Sequence, residues 1–128
     1  QSRRVSLVAD VPESLMVDVD ADLFRRVLDN LVSNALRFTP AGGTVSVAAE
    51  ETAREVVVAV RNTGESIPPE VEHGLFEKFS PRAERAERGG LGLYFCRRAV
   101  EAHGGTIALV PRPSWAASLE ITLPRGAA

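Results

Sequence analysis

Asp20-Ala21-Asp22-Leu23-Phe24-Arg25-Arg26-Val27-Leu28-Asp29-Asn30-Leu31-Val32-Ser33-Asn34-Ala35-Leu36-Arg37-Phe38 is the stretch that decides the fold. Asp20 is an N-cap residue ahead of an amphipathic run, so the spacing predicts a helix over 21–38. At about 100° per residue, Phe24, Val27, Leu28, Leu31, Ala35 and Phe38 share one broad apolar face. Thr39-Pro40-Ala41-Gly42-Gly43 ends the run. A helix with one such face must lie against something apolar, and the flanking segments supply it.

Residues 44–51 and 55–61 alternate and are rich in β-branched side chains, which predicts an antiparallel hairpin. Residues 106–110 and 118–123 predict two more strands, separated by Pro111-Arg112-Pro113-Ser114. Before the helix, Val5, Leu7 and Ala9 alternate with polar residues, and residues 15–19 predict a second short strand after Pro12. A short helix is expected over 69–75. A second long helix is expected over 90–103, closed by Gly104-Gly105. Helices interleaved with hairpins imply an α+β fold: a two-layer α/β sandwich with a mixed, mostly antiparallel sheet and helices on one face.

The 128 residues make one domain, 45% of them hydrophobic and 25% charged, an ordinary globular balance. The formal net charge of −2 gives no basic excess for nucleic acid or an anionic membrane. No apolar run approaches the ~20 residues of a membrane span. With Cys96 the sole cysteine, no internal disulfide forms, in keeping with a cytoplasmic setting. The first residues carry no signal-peptide pattern. The chain does not begin with Met, which suggests one domain, 1–128, of a larger protein.

Beside the apolar face of the first helix, Asn30, Asn34 and Arg37 fall on a narrow stripe. Asn is a poor helix former, so two of them one turn apart suggest a task other than helix stability. An amide oxygen is a neutral donor suited to Mg²⁺, and an Arg beside it pairs with phosphate. A plain solvated face is the equal alternative on this helix alone. Asn62-Thr63-Gly64-Glu65-Ser66-Ile67-Pro68 follows a strand and reads first as a turn. Gly89-Gly90-Leu91-Gly92-Leu93 enters the second helix, where free N–H groups suit phosphate. Gly92 falls inside that predicted helix, where it costs about 1 kcal/mol relative to Ala, so it needs a packing or ligand reason. The run is neither a P-loop nor a dinucleotide fingerprint.

Order and spacing give these pieces meaning. Residues 30–40 resemble the N box of sensor histidine kinases, and residues 62–68 their G1 box. Leu75-Phe76-Glu77-Lys78-Phe79 resembles the F box. Residues 89–93, with Val100-Glu101-Ala102-His103-Gly104-Gly105, resemble the G2 box and its helix, and residues 118–124 the final strand. The likeness runs from about Val5 to Pro124. It implies the catalytic, ATP-binding domain of a histidine kinase, with the Bergerat fold shared with gyrase B, Hsp90 and MutL. By position, Asn34 would ligate Mg²⁺, Asn30 would lie by the phosphates and metal, and Arg37 would contact phosphate. Phe38 would pack beside the adenine and Asn62 would recognise it. Gly64, Ser66, Ile67 and Ser118 would complete that pocket. Phe76 and Phe79 would buttress a lid, and Arg88, Gly89, Gly90, Leu91, Gly92 and Leu93 would border the phosphates. Implied partners are ATP, a helical dimerisation domain bearing the phosphoacceptor His, and a response regulator.

ATP-hydrolysing relatives place a Glu where this chain has Asn30. An amide cannot act as general base for water, so the site suits phosphoryl transfer rather than hydrolysis. The chain departs from the pattern at Asn62 (usually Asp), at Ser66 and Arg88 (usually Gly), and at Ala117-Ser118 (usually Gly-Thr). These departures imply the alternative of a degenerate module that binds nucleotide weakly or not at all. If Ser66 needs a left-handed backbone, the Ser is strained. Arg82 and Arg85 read as a solvated loop, Cys96 as a buried apolar residue, His73 and His103 as structural, and Trp115 as a loop anchor.

Overall fold

The computed structural model describes residues 4–12, 15–77 and 92–125. Chain order is β1 (Ser6–Asp10), α1 (Ala21–Arg37), β2 (Thr44–Glu51), β3 (Glu55–Asn62), α2 (Pro69–Glu72), α3 (Gly92–Ala102), β4 (Thr106–Leu109) and β5 (Ala117–Pro124). The strands form one five-stranded sheet in the order β1-β2-β3-β5-β4. Only β1 and β2 run parallel; the other neighbours are antiparallel. The sheet is therefore mixed and mostly antiparallel, as the sequence implies.

Each element follows from local chemistry. Asp20 caps α1 by accepting the Leu23 N–H at 3.0 Å. At the other end the Thr39 hydroxyl, fully buried, donates to the Ala35 carbonyl at 2.6 Å. α3 ends where Gly104 turns left-handed at φ +78°. The Gly105 N–H then reaches the Val100 carbonyl and the Gly104 N–H the Glu101 carbonyl, a Schellman close.

Strand alternation sorts the sheet into two faces. Val45 on β2, Val56, Val58 and Val60 on β3, and Leu119, Ile121 and Leu123 on β5 are buried against Val27, Leu31 and Ala35 of α1 and Cys96, Ala99 and Val100 of α3. Asn62 continues the Val56-Val58-Val60 series and so belongs to this helix-side face. Arg61, Ser118 and Glu120 belong to the other. The two long helices are also fastened directly. The Arg26 guanidinium stands 4.4 Å over the Phe95 ring, and the Asp20 N–H donates to His103 Nε2 at 3.1 Å.

Residues 15–19 are not a strand. Their alternation is real: Leu15, Val17 and Val19 pack on the core while Met16 and Asp18 are exposed. A half-buried extended segment satisfies the same pattern without a partner strand. The helix expected over 69–75 stops at Glu72 and passes into turns around Gly74. α3 is described from Gly92, and β4 ends at Leu109.

Candidate functional site

α1 and α3 pack tightly at Asn30 and Gly92. A Cβ at position 92 would lie 3.2 Å from Asn30 Oδ1 and 3.3 Å from its Cγ. The packing reason that a helical glycine demands is therefore the Asn30 amide itself. Gly92 is the first described residue of α3, so Asn30 packs against the first described turn of that helix. Asn34 lies one turn on, about 6 Å along the same stripe, and both Asn are half-buried. The stripe continues to Arg37, which lines an open cleft of about 250 Å³ with Phe38, Thr39, Pro40, Gly64 and Glu65.

The loop after β3 closes this cleft. Gly64 has φ +111°, and a Cβ there would meet Pro40 Cδ at 2.6 Å and the Phe38 carbonyl oxygen at 3.1 Å. Both its conformation and its neighbours require glycine. Asn62 is buried, and its Nδ2 donates to the Thr63 carbonyl at 2.8 Å. That bond commits the nitrogen and makes Oδ1 the amide's acceptor arm. The Thr63 hydroxyl oxygen accepts the Thr44 N–H at 2.9 Å, which holds the loop to the start of β2.

Ser66 is exposed, and Ser114 is the one non-glycine with a left-handed φ among the described residues. Ser66 is therefore not strained. Ser66 and Ile67 line a second recess of about 170 Å³ with Trp115, Ala116 and Ala117. Phe76 is half-buried against the core. After it, Glu77 pairs with Arg97 of α3 at 3.2 Å.

Two expectations are corrected by position. Leu93 is buried in the core rather than turned toward the cleft. Ser118 lies on the far face of the sheet, because β5 alternates and Ala117, not Ser118, is the cross-strand neighbour of Asn62. The Ser118 hydroxyl accepts from Arg61 Nε at 3.0 Å and donates to Glu120 at 2.8 Å. Phe79, Arg88, Gly89, Gly90 and Leu91, with Arg82 and Arg85, lie outside the described residues.

Three features were not read from the sequence. Thr39 was taken only as a helix stop, yet its buried hydroxyl shapes the cleft wall. His103 links the ends of α1 and α3: its Nε2 accepts from Asp20 and its Nδ1 donates to the Ala99 carbonyl at 2.8 Å. Glu120, a buried carboxylate, receives Arg112 on both oxygens at 2.7 and 2.8 Å. The Arg112 bonds, with those from Ser118 and Arg61, overcome the opposing effect of burial and hold its carboxyl down at about 2. A charge mid-strand was the available signal. Burial pushes the Cys96 thiol up to about 12, the mark of an inert core cysteine.

The arrangement offers a guanidinium and a glycine turn on one cleft, with the amides of Asn30 and Asn34 on the same helix stripe and Asn62 at the end of β3. These are groups that hold a phosphorylated ligand with a flat, amino-bearing ring. Among the described residues no helix is long and apolar enough to cross a membrane.

The family model described as "Histidine kinase-, DNA gyrase B-, and HSP90-like ATPase" matches residues 19–127. The adaptive-response sensory kinase SasA of Synechocystis is 35% identical over 126 residues, which cover 95% of this chain and 33% of that protein. The chain thus spans about a third of that relative's length. The nucleotide-free catalytic domain of histidine kinase ThkA superposes with a TM-score of 0.83 at 30% identity, covering 94% of this chain and 79% of that one. ThkA in complex with the response regulator protein TrrA matches with a TM-score of 0.78 at 29% identity, over 94% and 34% of the two chains.

Proposed function

Because the chain belongs to the family of histidine kinase-, gyrase B- and HSP90-like ATPases, we propose that it is the ATP-binding catalytic domain of a sensor histidine kinase. It passes the γ-phosphoryl group of ATP to a histidine on a separate helical dimerisation domain, from which a response regulator takes it. The observation that supports this reading is Asn30 packed against Gly92 in the first described turn of α3. The side chain against Gly92 is an amide, which cannot deprotonate water. Water is therefore not activated there, and the phosphoryl group is kept for an incoming imidazole.

Residue roles follow from position. Asn62 Oδ1 accepts the adenine amino hydrogen, Gly64 admits the ring, and Phe38, Ser66 and Ile67 border it. Phe76 packs against the core beside Glu77. Arg37 and the N–H groups at Gly92 neutralise the phosphates. The donor set fits Mg²⁺: Asn34 offers a neutral oxygen, with Asn30 beside it, leaving the rest of the shell to phosphate and water. When bound, the ion would offset charge on the transferring group. In the transfer, the bond from the γ-phosphorus to the bridging oxygen breaks and a bond to the acceptor imidazole nitrogen forms, with ADP leaving. The protein contributes position and charge neutralisation. The pairing of ThkA with a response regulator supports the downstream partner.

Incubation with γ-labelled ATP and a purified helical domain bearing an acceptor His tests the reading. Label on that domain, lost with Asn34→Ala, is the expected result. Absence of label where a control kinase transfers would sink it.

A further inference from the structure

β1 is an edge strand. Among the described residues it pairs with β2 alone, and all five of its residues are exposed. Its inward bonds belong to even-numbered residues: the Arg4 carbonyl accepts the Gly42 N–H at 2.7 Å, and the Ser6 N–H donates to the Gly43 carbonyl at 2.9 Å. Backbone groups alternate between the two sides of a strand. The N–H and C=O groups of Val5, Leu7 and Ala9 therefore point away from the sheet. Leu7 is 61% exposed and Val8 47%. Edges are usually blunted by charges that repel a second strand. Here the charges bracketing the edge, Arg4 and Asp10, are of opposite sign and equally distant from Leu7.

We propose that β1 pairs antiparallel with β1 of a second copy of this chain, about a two-fold axis at Leu7. That register sets Leu7 opposite its own copy, Val5 opposite Ala9, Ser6 opposite Val8 and Arg4 opposite Asp10. The pairs that exchange hydrogen bonds are the odd-numbered ones, whose backbone groups face outward. A shift by one residue would oppose outward groups to inward ones. A shift by two would part Arg4 from Asp10. One register alone satisfies both the backbone and the charges.

Asp10 lines an open cleft of about 200 Å³ together with Glu50, Arg61, Arg112 and Glu120, so Arg4 of the second copy meets its partner charge at Asp10 itself. The contact is isologous and closes on itself, so it forms dimers and not filaments. Two five-residue strands make a small interface, and small interfaces are transient.

Sedimentation velocity of the full 128-residue chain, from roughly 10 µM to 1 mM, reads the association. A monomer–dimer equilibrium is expected near the upper end. Arg4→Glu and Asp10→Lys should each weaken it about tenfold by setting like charges opposite, and the double variant should restore it. ADP titration of these variants checks that they remain folded, since neither residue is at the nucleotide site. Leu7→Cys should form a disulfide dimer under mild oxidation, because the paired Cα atoms stand about 5.5 Å apart. Ala9→Cys should not, because its copies are four residues out of register. A monomer at every concentration, with Leu7→Cys crosslinking no faster than Ala9→Cys, overturns the proposal. So does a dimer that neither charge variant weakens.

Discussion

Gly92 and Asn30 occupy one another's space: a single added carbon at position 92 would stand 3.2 Å from the Asn30 amide oxygen. The glycine of α3 and the amide of α1 are one unit, because the missing Cβ leaves room for the amide. Gly92→Ala should push Asn30 aside at an overpacking cost of about 1–2 kcal/mol. Affinity for Mg-ADP should fall about tenfold while the melting temperature changes little, since Ala favours the helix. Calorimetric titration beside a thermal melt separates the two effects.

Asn62→Asp tests the opposite trade. The Asn62 amide nitrogen donates to the Thr63 carbonyl at 2.8 Å. An Asp would set a carboxylate oxygen against that carbonyl in a buried position, a cost of about 1–3 kcal/mol to the free protein. The carboxylate is also a stronger, charge-assisted acceptor for an adenine amino group. The variant should melt lower alone and gain a larger rise in melting temperature from ADP than the parent does. An unchanged ADP-induced rise would remove Asn62 from adenine recognition.

Glu120 sets the acid limit of the fold. Its carboxyl sits at about 2 against an ordinary value of 4.5, so the unfolded chain binds the proton more readily. The stability that Glu120 contributes is complete above about pH 4.5 and is lost as pH falls toward about 2. Urea melts between pH 6 and 2.5 should show this decline. Glu120→Gln should be less stable at neutral pH and should lose part of the slope.

Cys96 is fully buried, its thiol donates toward the Val27 carbonyl at 3.5 Å, and it lies well above the usual thiol range. Little thiolate forms at pH 8. A disulfide reagent should leave the native protein unmodified and label one thiol per chain in guanidinium. Rapid labelling of the native state would contradict the packing of α3 on α1.

The parts of the fold written in short-range chemistry were legible. Asp20 and Thr39 bracket α1, and the alternation of residues 44–51 and 55–61 gave the hairpin. Residues 15–19 misled because alternation reports burial on one side, whereas a strand also needs a neighbour. That neighbour is fixed by distant chain. Ser118 misled for a related reason. A shift of one residue moves a side chain to the other face, and the face is set by the pairing of Asn62 with Ala117. The stripe of Asn30, Asn34 and Arg37 was legible from helical spacing. Why Gly92 is a glycine was not, because the answer is a side chain on another helix. The bond from Asp20 to His103 spans 83 residues, and neither residue signals the other.

That bond closes one end of the helix pair. α1 and α3 run antiparallel, tied at Asp20 and His103 and touching again at Asn30 and Gly92. Ten or eleven helical residues separate tie from contact, an arm of about 15 Å. Arg26 over Phe95 and the Cys96 thiol at the Val27 carbonyl bridge the span between, so the imidazole and the Asn30 amide are the two ends of one clamped pair of helices.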